Sequence, residues 1–191
     1  MHDTTTAVSV TGRLARLAIP AAVAAGVLNA ALAVTQLLAP AQPAGGHHFV
    51  RTSDYVIEIL FAASLLTTAC AAALLARYFR GLPRWGTLGT IAASAYALGT
   101  GLSGISSAAT AARGVESLDI LQLPAVGLWL AAGLLMAIAT LRARALPVVV
   151  GLGFAAGLPA AMALGNSGPL ALALLWAAVA AALARKRAGH G

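Results

Sequence analysis

Glu58 is the one carboxylate of this chain that falls inside an apolar run. An ionisable group in such a run is costly enough in a bilayer to mark a functional site by default. It follows Asp54 by four residues, so the two acids share a helix face, with Arg51 one turn earlier. One reading makes Glu58 with Asp54 the working pair of a membrane-embedded enzyme or proton-coupled carrier. The other is structural: Ser53 or Asp54 caps a helix, and both carboxylates sit in the favourable field at its N-terminus. His47 and His48 lie just upstream. With Asp54 and Glu58 they supply metal-ligand donor types, imidazole nitrogen and carboxylate oxygen. Adjacent histidines in a Gly/Pro-rich segment do not have the spacing of a recognised ligand motif, and their simpler reading is exposed loop residues.

A second candidate site is defined by depth. Asn29, Thr67, Thr68, Tyr96, Trp129 and Trp176 each fall near the middle of an apolar run, whereas Trp and Tyr ordinarily prefer membrane interfaces, as Tyr55, Tyr78 and Trp85 do here. Indole and phenol groups at that depth need hydrogen-bond partners, which Asn29 or the threonines could supply. Either these residues glue helices together, or Asn29, Tyr96, Trp129 and Trp176, with Glu58 at the outer side, line a neutral pocket for an apolar ligand.

Other chemistries are disfavoured by composition. Lys186 is the only lysine, no histidine lies in an apolar run, and Cys70 is the only cysteine. A retinal Schiff base, a buried haem and an internal disulfide are therefore not expected. No cofactor motif is present, and the expectation is no cofactor.

The elements that must position these residues are legible from hydropathy. With 191 residues, 60% hydrophobic and 9% charged, and a mean hydropathy of +0.89, the chain is far from the composition of soluble domains, about 25% charged. Runs long enough to cross a hydrocarbon core predict six transmembrane helices near 14–39, 55–79, 86–110, 121–141, 146–164 and 169–184. This makes residues 1–191 one all-α polytopic membrane domain, with polar tails at 1–12 and 185–191 and an external loop at 40–54. Leu17–Ala39 is too long for the core of a signal peptide.

Ten of the 12 Lys and Arg residues fall on one side of that arrangement: Arg13, Arg16, Arg77, Arg80, Arg84, Arg142, Arg144, Arg185, Lys186 and Arg187. By the positive-inside rule both termini are cytoplasmic, in a cell (inner) membrane. The net charge of +7 is then a topological signal and a contact for anionic lipid, not a nucleic-acid footprint. The abundance of Arg, Ala and Gly suggests a bacterial, high-GC source.

Small residues predict how the spans associate, since close approach in lipid depends on them. Gly99, Ser103 and Ser107 recur at intervals of four and single out the third span as the central one. Ala18, Ala22, Gly26 and Ala30 do the same on the first, and Gly153 and Gly157 mark the fifth. Pro20, Pro124, Pro147 and Pro169 are expected in first turns, and Pro159 well inside its span, where it kinks the helix. Internal repeat signal is weak.

Three resemblances follow from particular residues. The run Ala63–Ala76, then Arg84-Trp85-Gly86 and Leu141-Arg142-Ala143-Arg144-Ala145-Leu146-Pro147, resembles uncharacterised small six-span integral membrane proteins of the actinobacterial type; this implies a fold and no activity. Ala18, Ala22 and the segment from Pro40 to Asp54 resemble the helix contact and gating loop of substrate-binding subunits of energy-coupling-factor vitamin importers. Gly101-Leu102-Ser103-Gly104 resembles the nucleophile motif of rhomboid proteases, but after Ser103 the only histidine is His190, in the tail, so the activating base that chemistry needs has no counterpart.

The favoured expectation is a non-enzymatic multi-pass membrane protein, either a small apolar-ligand or lipid-handling module or an accessory subunit of a membrane complex. Its partners would be the lipid bilayer and another membrane protein or a second copy of itself. The enzyme or carrier built on Glu58 and Asp54 and the importer subunit are the alternatives.

Overall fold

The computed structural model describes residues 4–39, 49, 51–83, 85–113 and 119–188, and among them the chain is all-helical. Six α-helices follow in order: α1 (Thr4–Leu38), α2 (Thr52–Arg80), α3 (Gly86–Arg113), α4 (Asp119–Ala143), α5 (Val148–Ala163) and α6 (Pro169–Ala188), with a 3-10 turn at Gly165–Ser167 before α6. Five of these segments are long and apolar enough to cross a membrane. The fifth expected span is the exception. α5 has 16 residues and rises about 24 Å, short of a hydrocarbon core of about 30 Å.

The helices close into a ring: each packs on its neighbours in sequence, and α6 returns onto α1. Backbones on opposite sides of the ring do not approach one another among the described residues. The expectation that the third span is central is thereby corrected, because α3 is one stave of the ring between α2 and α4. The ring is lined with small residues, among them Ala22, Ala25, Ala72, Ala92, Ala93 and Ala132, all buried. Its outward surface carries large apolar groups such as Val27, Ile59, Ile91, Leu98, Leu152 and Leu174, all exposed, the arrangement expected when lipid is the solvent. Ala18 and Ala22 are buried in this chain's own core, so the face that resembles an importer contact is already occupied.

Glycines set the closest approaches. A methyl group at Gly99 would lie 2.9 Å from the Ala125 carbonyl oxygen, and one at Gly133 would lie 2.6 Å from that of Phe154. At Gly26 the Ala173 carbonyl oxygen would be 3.3 Å away. These contacts lock α3 to α4, α4 to α5 and α1 to α6. Hydroxyls are mostly returned to their own helices: Thr35 donates to the Ala31 carbonyl, Thr67 to that of Ala63 and Thr100 to that of Tyr96. Thr90 also reaches across from α3 to the Ala76 carbonyl of α2, at 3.2 Å.

Two features of the helix ends differ from expectation. Pro20 and Pro124 lie inside α1 and α4 rather than in first turns, because both helices begin before their apolar runs. Pro147 and Pro169 do stand at helix starts, and Pro159 is internal to α5. At the start of α2 the N-cap is Arg51, not Ser53 or Asp54. Asp54, three residues later, accepts the Arg51 backbone N–H at 2.9 Å, which satisfies a donor the helix would otherwise leave open.

The end of the ring that carries Arg77, Arg80, Arg142, Arg144 and Lys186 is its basic end. There the Arg142 guanidinium stacks 5.0 Å over the Trp85 ring. Lys186 Nζ donates to the Tyr78 hydroxyl at 3.3 Å, and that hydroxyl to the Ala145 carbonyl at 3.5 Å. These bonds tie α6, α2 and the α4–α5 connection together. Arg142→Gln is expected to lower stability by about 0.5–1 kcal/mol, the range of a cation–π contact at an exposed site. Thermal unfolding in detergent checks this, with Arg142→Lys retaining most of the effect.

Candidate functional site

The centre of the ring is filled by aromatic side chains that arrive from four helices. Tyr96 on α3 is the hub. Its ring meets Trp129 of α4 at 5.8 Å and 82°, Phe154 of α5 at 5.7 Å and 84°, and Trp176 of α6 at 6.3 Å and 72°. Phe154 and Trp176 close the cluster at 5.9 Å and 85°. All four contacts are edge-to-face, the geometry in which the positive rim of one ring meets the negative face of another. Every member is buried, with Trp176 at 0% and Tyr96 at 1% exposure.

Local sequence explains why these rings converge. Gly99 lies one turn from Tyr96 and lets the α4 backbone approach at Trp129 itself. Gly133 lies one turn from Trp129 and lets α5 approach at Phe154. Where neighbouring backbones come this close, the bulky side chains have room only toward the ring centre.

The cluster has two polar handles. The indole N–H groups of Trp129 and Trp176 are both buried; that of Trp176 has no hydrogen-bond partner, and that of Trp129 makes no hydrogen bond of ordinary geometry, the Tyr96 hydroxyl being a weak neighbour. Neither indole donates to the partners expected for it: Asn29 is held by donation of its amide N–H to the Ala25 carbonyl of its own helix at 2.8 Å, Thr67 likewise donates to its own helix, and the Thr68 hydroxyl is itself unpartnered. A buried N–H without an acceptor is rare in native structures. What these two donors can do chemically is bind a carbonyl, ester or ether oxygen presented among aromatic rings.

The structure therefore brings together Tyr96, Trp129 and Trp176, and adds Phe154, which sequence reasoning did not single out. Phe154 has no polar atom to flag it. The available signal was its place as the only aromatic of α5, with Gly151, Gly153 and Gly157 around it.

Glu58 is not part of this cluster. It is half-buried on α2, nineteen residues from Arg77, which at about 1.5 Å per residue is about 28 Å from the basic end. That is the far edge of the bundle and not its middle. Asp54 lies further out still, holding the start of α2. His47 and His48 lie outside the described residues. Among the described residues no group of three or more His, Cys, Asp or Glu is placed to hold a metal ion. Ser103 is buried with its hydroxyl unpartnered.

No protein-family model, no curated protein and no solved structure matches the chain.

Proposed function

We propose that this is a non-enzymatic multi-pass membrane protein that binds a small, neutral, mainly apolar ligand among Tyr96, Trp129, Phe154 and Trp176. The observation that carries this reading is the buried Trp176 indole N–H, unpartnered in a mainly apolar cluster, with the Trp129 N–H beside it held only weakly by the Tyr96 hydroxyl. A ligand oxygen that accepts from them removes the desolvation cost of unmade hydrogen bonds, about 1–3 kcal/mol each. Rings and an apolar ligand body match in the bilayer interior, which favours neutral molecules over ions. Indole, phenol and phenyl groups supply shape and donors, and none is a strong base or nucleophile at neutral pH, which favours holding a ligand over transforming it.

The protein works in a bacterial cell membrane with both termini in the cytoplasm, a placement supported by the ten-to-two distribution of basic residues. Reporter fusions at residues 45 and 191 test it: a cytoplasmic-active reporter is expected to work only at 191, and activity at 45 alone would reverse the topology.

The ligand reading is tested with radiolabelled 2-decanone, an apolar chain bearing one carbonyl acceptor. Its binding is measured to the protein in lipid nanodiscs, with protein-free nanodiscs subtracted. Saturable binding is expected, and the double variant Trp129→Phe/Trp176→Phe, which keeps aromatic rings and removes both donors, should weaken it at least about tenfold. Absence of saturable binding, or binding that the double variant leaves intact, defeats the reading. Glu58→Gln is expected to leave the affinity unchanged within about twofold, since Glu58 is about 24 Å from the level of Tyr96 along the bundle; a large loss would restore the carrier alternative.

A further inference from the structure

Beyond the aromatic cluster, on the side away from the basic end, three neighbouring helices each present a buried polar atom that has no partner: the Thr68 hydroxyl on α2, the Ser103 hydroxyl on α3 and the Gln122 Oε1 on α4. Thr68 and Ser103 are each 1% exposed. The helix register brings the three to one level. Gly101 faces Ala69, and Gly104 faces Leu65 and Leu66, so Ser103 lies opposite Thr67 and Thr68. Gly99 faces Ala125 and Trp129, and the next turn of this antiparallel pair sets Ser103 opposite the turn that contains Gln122.

The same three residues stand in a fixed relation to the aromatic cluster. Ser103 follows Tyr96 by seven residues, and Gln122 precedes Trp129 by seven. Seven residues are two turns of helix, so each polar residue shares a face with its aromatic partner about 10 Å away along the bundle.

We infer that Thr68, Ser103 and Gln122 form a second, polar subsite for the same ligand, which takes a neutral hydroxyl or primary amide about 10 Å from the oxygen held at the indoles. This rests on the ligand reading above and adds the ligand's second functional group and its spacing. The donor–acceptor inventory fits that chemistry. Gln122 Oε1 can only accept, so the ligand must donate to it. The two hydroxyls can both donate and accept. No formal charge is present among the three, which matches a hydroxyl or an amide and not a carboxylate or an ammonium group.

The test compares 10-hydroxydecan-2-one, whose hydroxyl is about 10 Å from its carbonyl when extended, with 2-decanone in the nanodisc assay. The hydroxyketone is expected to bind about tenfold more tightly, the increment of one good hydrogen bond to a previously unsatisfied partner. In Thr68→Val/Ser103→Ala that advantage should vanish while the affinity for 2-decanone stays the same. Both substitutions replace an unpartnered buried hydroxyl by an apolar group of similar size, so folding is retained, and unfolding midpoints confirm it. Equal binding of the two ketones to the wild type, as expected if only water fills the subsite, overturns the inference and leaves the ligand reading standing. An advantage that survives in the double variant also overturns it. If neither ketone binds, the ligand reading itself falls, and the second subsite with it.

Discussion

Gly99→Leu is expected to abolish recovery of folded, monodisperse protein, and Gly99→Ala to cost about 1–3 kcal/mol, the range for overpacking a well-filled core. Gly127→Ala, on the same α3–α4 hairpin, should leave stability unchanged or slightly raised. The difference lies in what a side chain would meet. At Gly99 a single added carbon would be 2.9 Å from the Ala125 oxygen, 2.9 Å from the Trp129 amide nitrogen and 3.1 Å from the Trp129 Cα. All three are backbone atoms of α4, which cannot swing aside as a side chain does. Relief requires α4 to move outward, and this carries Trp129 away from Tyr96. At Gly127 nothing lies within 4 Å, so a methyl group is accommodated and helix propensity slightly improves. Unfolding midpoints and size-exclusion profiles in one detergent decide the matter. A Gly99→Ala protein as stable as Gly127→Ala would mean that α3 and α4 do not meet at this residue.

The same contact shows what a reading of residue types can and cannot reach. The intervals of four at Gly99, Ser103 and Ser107 correctly mark a packed face of α3, because small residues are where helices in lipid approach. They cannot say which helix comes. A closed ring and a central helix both use such a face, and the choice depends on the return of α6 onto α1, a contact between distant parts of the chain. Apolar runs reveal the five helices long and apolar enough to span a membrane, but they do not report where a helix begins or ends. That is why Pro20 and Pro124, placed in first turns from hydropathy, turn out to lie within longer helices. The same distinction makes α5 shorter than its apolar run. The apolar run continues through Leu146 and Leu164, while the helix is bounded by Pro147 and by the turn at Gly165, whose φ of 55° is in the left-handed region. The turn formers Gly165-Asn166-Ser167-Gly168 mark that end of the helix more closely than hydropathy does. Position within the apolar runs is, in contrast, informative about the aromatic residues. Indoles and phenols away from the interfaces are unusual, and Tyr96, Trp129 and Trp176 do meet. Their hydrogen-bond partners were not legible, since an Asn or Thr on a helix can always turn back to its own backbone, as Asn29 and Thr67 do.

Trp176→Ala should be the most destabilising single truncation of the cluster, by about 3–5 kcal/mol, whereas Trp176→Phe should cost distinctly less. Trp176 is fully buried and packs its ring against both Tyr96 and Phe154. Alanine empties the space that four helices surround, and small-residue faces locked by Gly26 and Gly133 leave the backbones little freedom to collapse into it. Phenylalanine keeps a ring for the edge-to-face contacts. It also removes an N–H that has no partner, so part of the loss in packing is offset by the lost desolvation penalty. The two variants thereby separate the two roles of the residue. If the indole is there for its size alone, stability follows side-chain volume from Trp to Phe to Ala, and 2-decanone binds the Phe variant as it binds the wild type. If the indole is there to hold a ligand oxygen, Trp176→Phe remains folded close to the wild-type midpoint and yet binds the ketone several-fold more weakly. Ligand-dependent stabilisation gives an independent reading of the same distinction, because a ligand bound only by the folded state raises the midpoint with concentration. The wild type should show that rise with 2-decanone, and Trp176→Phe should need a correspondingly higher concentration for the same shift.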